Sequence, residues 1–187
     1  MIPAAGPDAL AHPGGGCFSL AGLSVLLDGW LCPSFSLWLD AYRPFLFSDF
    51  KGVPDSHVRI GAESSSPRDD GFVSTYVAGS WQAGHCDGRE IYRFHAGENR
   101  PYLWAGPNPD FSVVDVWLDP EGGRQMPPLL HPVDRVLCMG VLAHRGGFIV
   151  HSCGWACNGK SVLFPGVSGA GKTTLCRQLM AAGQGNV

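Results

Sequence analysis

The sequence predicts a mixed chain, α+β passing into α/β: a β-rich N-terminal region, then the first half of a phosphate-binding-loop (P-loop) nucleotide-binding domain. Three observations predict it. Short aromatic and β-branched runs, broken by Gly, Pro, Asp and Asn, fill residues 17–125. Helical apolar spacing first appears after Pro132. Gly166-Val-Ser-Gly-Ala-Gly-Lys-Thr173 matches G-x-x-x-x-G-K-[ST] at every fixed position.

Along the chain, residues 1–16 are rich in Gly, Ala and Pro and predict a disordered tail. Phe18–Leu27 is an apolar run with partial alternation. Phe35–Leu39, Phe72–Val77, Glu90–His95, Pro101–Ala105 and Phe111–Leu118 read as further strands of a mostly antiparallel region. Gly61–Gly71 reads as a solvated loop, and the breaker-rich Asp119–Pro128 as the domain boundary. The second domain, 132–187, opens with a helix over Pro132–His144, apolar at Val133, Val136, Leu137 and Val141 and stopped by Gly146-Gly147. Two strands follow, Phe148–Cys157 and Ser161–Phe164. Asn158-Gly159 between them is a hairpin-turn signal, because both residues tolerate positive φ. The second strand runs into the loop. A helix over Lys172–Ala182 then carries Leu175, Cys176, Leu179 and Met180 on one face and ends at Gly183.

Composition bounds the partners. The chain has 187 residues, a net charge of -3 and 13 Lys+Arg, so it lacks the clustered cations of a nucleic-acid surface. Lys51, Lys160 and Lys172 are its only lysines. Seven cysteines, an odd number outside a short secreted scaffold, point to reduced thiols in a cytosol. The N-terminus lacks the n- and h-regions of a signal peptide, and no stretch is long and apolar enough for a membrane helix. The expected location is cytoplasmic, without membrane attachment. The sequence leaves a homo-oligomer open.

The loop carries the chemistry. A phosphate chain must be desolvated and held by inward-pointing amides, which Gly166, Gly169 and Gly171 let the backbone present around Ala170. The helix N-terminus adds its dipole. Lys172 is expected on the β- and γ-phosphates and Thr173 on Mg²⁺, with Ser168 and Thr174 adding hydrogen bonds. The expected ligands are ATP and magnesium. Turnover is a separate requirement: it needs a group to orient the nucleophile and, usually, a carboxylate for the metal.

The segment from Gly147 through His151, Asn158-Gly159 and Ser161-Val-Leu-Phe to Gly166–Thr174 resembles the core of the HPr serine kinase/phosphorylase family. It is closest to the HPr-kinase-related proteins of bacterial peptide-modification clusters, which share a nucleotide-binding core with phosphoenolpyruvate carboxykinases. The resemblance covers residues 147–183. It implies phosphoryl transfer from ATP to a protein or peptide side chain, and it gives His151 a supporting catalytic role beside Lys172. In the family, the helix after the loop leads to a strand ending in acidic residues. Here Gln184-Gly-Asn-Val follows instead, so the resemblance implies a member truncated after the helix, one completed by a partner chain, or one short of catalysis.

Other residues have plainer readings. From the residues alone, His151 reads as an ordinary strand histidine. Cys153, Cys157 and Trp155 share a strand face with it, but one strand spreads them too far for a single zinc, so buried free thiols are preferred. His85-Cys86-Asp87 and His95 read as surface loop, Asp134-Arg135 as a solvated helix face, and Trp38, Trp81, Trp104 and Trp117 as core. Asp110, Asp115 and Asp119 cannot be placed near Lys172. Two functional classes follow: an HPr-kinase-like, ATP-dependent kinase, or a non-catalytic module that binds a peptide or partner in a nucleotide- or phosphate-dependent way. A general P-loop ATPase or transporter subunit fits less well, given the upstream hairpin and the long β region.

Overall fold

A computed structural model describes residues 15–20, 22–29, 45–47, 52–61, 71–95, 101–119 and 131–183. The chain divides into two units after Gly146. The expected strand Phe35–Leu39, nearly all of the 1–16 tail, and most of the Gly61–Gly71 loop and the 119–128 boundary lie outside the described residues.

Among its described residues the first unit holds a nine-stranded mixed sheet. Its strands are β1 (Gly15–Leu20), β2 (Leu23–Gly29), β3 (Leu46–Phe47), β4 (Ser56–Gly61), β5 (Val73–Ala78), β6 (Trp81–Cys86), β7 (Arg89–His95), β8 (Pro101–Pro107) and β9 (Val113–Leu118), in the order β3-β1-β2-β4-β9-β8-β7-β6-β5. From β5 to β9 the strands form an antiparallel ladder. Asp87-Gly88, both at positive φ, turns β6 into β7. β4 departs from the mostly antiparallel expectation, pairing parallel with β2 on one side and β9 on the other.

Alternation sets the two faces of this sheet. Leu27, Val58, Ile60, Phe94, Leu103, Val114 and Val116 enter the main core. The helix α1 (Val133–His144) joins that core through Val133, Val136, Leu137 and Val141, the four positions the spacing predicted. Gly140 lets it sit close: a Cβ there would lie 2.1 Å from the Phe111 ring. The sequence grouped this helix with the loop, but its buried face belongs to the sheet, and the division falls at Gly146/Gly147. On the opposite face, Cys86, Ile91, Trp104 and Trp117 form a smaller cluster with Phe72. The segment around His85-Cys86 is therefore strand and partly core, not surface loop: Gly84 and the polar Gln82 and His85 weaken the strand signal there, and Cys86 is buried.

The second unit holds β10 (Ser152–Cys157), β11 (Lys160–Pro165) and a second helix, α2 (Lys172–Ala181). Gly147–His151 is not strand, so the predicted Phe148 start falls to Ser152. Asn158 (φ 50) and Gly159 (φ 71) make the predicted turn, and β10 pairs antiparallel with β11 from Ser152–Pro165 to Cys157–Lys160.

This corrects the fold class. Half of an α/β P-loop domain would place the strand before the loop in a parallel sheet flanked by helices. Here β11 pairs only with β10, in a two-stranded antiparallel sheet, and among the described residues the parallel pairs lie around β4. Among the described residues the fold is β-rich, with a nine-stranded mixed sheet, a two-stranded sheet and two helices. The strand–loop–helix order that suggested α/β is local, and an antiparallel hairpin satisfies it equally well.

Candidate phosphate-binding loop

The loop runs from the end of β11 to the start of α2. At its base, the Gly166 N–H donates to the His151 carbonyl (3.2 Å), tying the loop to the residue that precedes β10. A Cβ on Gly166 would lie 3.1 Å from Ala170 Cβ and 3.8 Å from the Lys172 stem, so a side chain there would require Ala170 to shift by a few tenths of an ångström. The Ala170 N–H donates to the Val167 carbonyl (3.2 Å). Gly169 and Gly171, both at φ 81, take the left-handed conformation that a side chain would strain.

Gly171 is also the N-cap of α2. The first intrahelical bond is Leu175 N–H to the Gly171 carbonyl (2.9 Å), so the amides of Lys172, Thr173 and Thr174 precede the helical ladder and are open to an anion. Lys172 Nζ turns back over the loop and donates to the carbonyls of Gly166 (2.8 Å) and Val167 (2.6 Å). The ammonium thus sits over the ring of backbone it is expected to serve. Ser168, Thr173 and Thr174 are exposed, with hydroxyls at the surface. The Val167 carbonyl is a partner the motif does not announce, since its position is variable in the pattern.

Electrostatics favour an anion. Residues 147–187 contain Lys160, Lys172 and Arg177 and not one Asp or Glu, although the whole chain carries -3. Thr173 can offer one oxygen to Mg²⁺, which retains waters and takes phosphate oxygens readily. Among the described residues, no group of three or more His, Cys, Asp or Glu side chains could hold a metal.

The carboxylates considered as substitutes are engaged within the sheet unit. Asp115 receives Arg59 Nε (2.8 Å) and Arg89 (3.3 Å), Asp110 caps Ser112 (3.1 Å to its N–H), and Asp119 is buried. His151 is exposed, and its backbone, at least, is at the foot of the loop. Cys153 is buried and Cys157 half-buried.

No family model, curated protein or solved structure matches the chain.

Proposed function

We propose that residues 166–174 bind the polyphosphate of a nucleotide, ATP with magnesium being the expected form. The carrying observation is the position of Lys172 Nζ, held at 2.8 and 2.6 Å over two loop carbonyls at the mouth of three uncommitted helix-start amides. A polyphosphate exchanges those carbonyls for its own oxygens, which are better partners for an ammonium because they carry charge. Gly169 and Gly171 keep the backbone open to it, and Thr173 reaches the metal beside it. The amides, the ammonium and the hydroxyls of this loop account for binding, so a nucleotide-dependent binding module is the first reading. Transfer to a protein or peptide acceptor, as in the HPr-kinase-like lineage, is the second reading. The Gly166–His151 bond supports it by bringing that histidine's backbone to the loop.

Titration calorimetry of the full chain with Mg·ATP tests this. Lys172→Ala is expected to weaken binding at least tenfold, about 1.4 kcal/mol, the scale of a charged hydrogen-bonding group lost. Equal affinity of the two proteins, or no binding by the native chain at millimolar ATP, sinks the proposal. Production of ADP and a phosphorylated acceptor by the native chain would move the conclusion to the kinase reading.

A further inference from the structure

On the sheet face that carries the main core, three aromatic rings surround one small residue. Ala83 on β6 pairs with Tyr76 of β5 on one side and Tyr92 of β7 on the other, so the three side chains share a face. Trp81, two residues before Ala83, points the same way and closes one end. Its ring centroid lies 5.2 Å from that of Tyr76 and 6.0 Å from that of Tyr92, with the planes tilted by 43° and 37°. At the other end stand Glu90 and its cross-strand partner His85, both exposed. The Tyr92 hydroxyl donates to Glu90 Oε1 (2.7 Å).

This box is open to solvent. Tyr76 is 55% exposed, and Trp81, Ala83 and Tyr92 each keep part of their surface in water. Three large rings around an alanine forgo burial that a larger residue at position 83 would have given them. The box is also braced. Phe111 packs edge-on against Tyr92 (6.2 Å), and His144 of α1 lies against Phe111 (5.8 Å). Burial first, with the Glu90 carboxylate second, pushes the Tyr92 phenol well above its ordinary value, so the ring stays an uncharged donor.

We propose that Tyr76, Trp81 and Tyr92, with Ala83 as floor and Glu90 at the mouth, bind the quaternary ammonium head of a small molecule. The site lies within the sheet unit and is independent of the phosphate loop.

The walls choose the ligand. Ring faces are electronegative, and a cation within about 6 Å of a centroid is attracted to them. Strands lie about 4.8 Å apart, so a cation over Ala83 has a tyrosine-bearing strand at that distance on either side. Glu90 adds a negative charge at the mouth, which favours a cation over a neutral apolar group of the same shape. A primary ammonium carries three N–H donors that must be satisfied once water is shed. The Ala83 methyl and the ring faces are poor partners for them, and one Glu90 oxygen already accepts from Tyr92. A quaternary ammonium has no N–H to satisfy, and its methyl groups bury against the rings. Phe111 and α1 back Tyr92, so the box ends there and admits a head group rather than a chain laid across the strands.

The test titrates the full chain with choline at fixed ionic strength, read by tryptophan fluorescence and calorimetry. Saturable, millimolar binding is expected. The neutral isostere, with a tert-butyl group in place of trimethylammonium, should bind at least about tenfold more weakly. Tyr76→Ala and Glu90→Gln should each raise the Kd at least about threefold and leave the melting midpoint unmoved, since both side chains are exposed. Ala83→Leu, which fills the box, should abolish binding. No saturable binding of choline, equal affinity for the neutral isostere, or unchanged affinity in these variants overturns the site. A peptide carrying trimethyllysine is the third probe. Tighter binding than choline overturns the small-molecule assignment, and equal or weaker binding upholds it.

Discussion

The sheet unit buries Leu27, Phe94, Leu103, Val114, Val116 and Val133 completely, whereas the described part of the loop unit buries one hydrophobic side chain, Cys153, and that less fully. The contrast extends to charge: every carboxylate side chain lies before residue 147, and the loop unit carries cations alone. Phe148, Val167, Leu163 and Met180 are also largely exposed there. A unit of roughly forty residues has little apolar area to bury and sits near the lower limit for independent stability. The sheet is held by burial. The loop unit is held by a turn, a ladder of backbone bonds and a few left-handed glycines, and it spends its polar backbone on a site open to a ligand.

The largest test removes burial from the sheet. Phe94→Ala should cost about 3–5 kcal/mol, the usual loss for a fully buried aromatic, and lower the main thermal transition. Hydrogen exchange across β11 and α2 should stay within about twofold of native. If α2 speeds up as much as β7, the two regions share one transition and the contrast fails.

A smaller effect should appear on the other side. Gly171→Ala forces a side chain into φ 81, at a cost of about 1–2 kcal/mol. That cost is expected as faster exchange at the start of α2 and weaker Mg·ATP binding, with the main melting midpoint unmoved. A midpoint shift matching that of Phe94→Ala would tie the loop to the sheet core.

The smallest concerns pH. Asp55 accepts from the Ser24 N–H (2.7 Å) and hydroxyl (2.8 Å) and pairs with Arg145. The Ser24 amide above all, with the hydroxyl and the guanidinium adding, holds this carboxyl below its ordinary value. A lowered folded-state pKa gives stability that is present above the unfolded value of about 3.9 and lost as pH falls through the folded one. Asp55→Asn should therefore cost about 1 kcal/mol at pH 7 and flatten the loss of stability below about pH 4. An unchanged acid limb in denaturant titrations would remove Asp55 as its source.

Legibility in the sequence followed locality. The α1 face was readable because Val133, Val136, Leu137 and Val141 recur at helical spacing and meet one surface. Asn158-Gly159 and the loop glycines were readable because backbone conformation selects those residues directly. The parallel pairing of β4 was not, since nothing in Ser56–Gly61 names β2 or β9 as its neighbour. The α/β expectation failed for the same reason: a strand, a glycine loop and a helix in succession say nothing about which strands flank them.

The central strand also sets the timing of folding during synthesis. Arg59 and Asp115 meet across 56 residues of sequence, because β4 pairs with β9. As the chain leaves the ribosome, β2 and β4 emerge before β9 and α1, with which Leu27, Val58 and Ile60 share one core. The antiparallel ladder from β5 to β9 can zip from hairpin to hairpin as it appears, so the last strand of that ladder is the one that closes the sheet. A pause in translation before residue 113 would leave a half-sheet waiting with an open edge, the arrangement most exposed to pairing with another nascent chain.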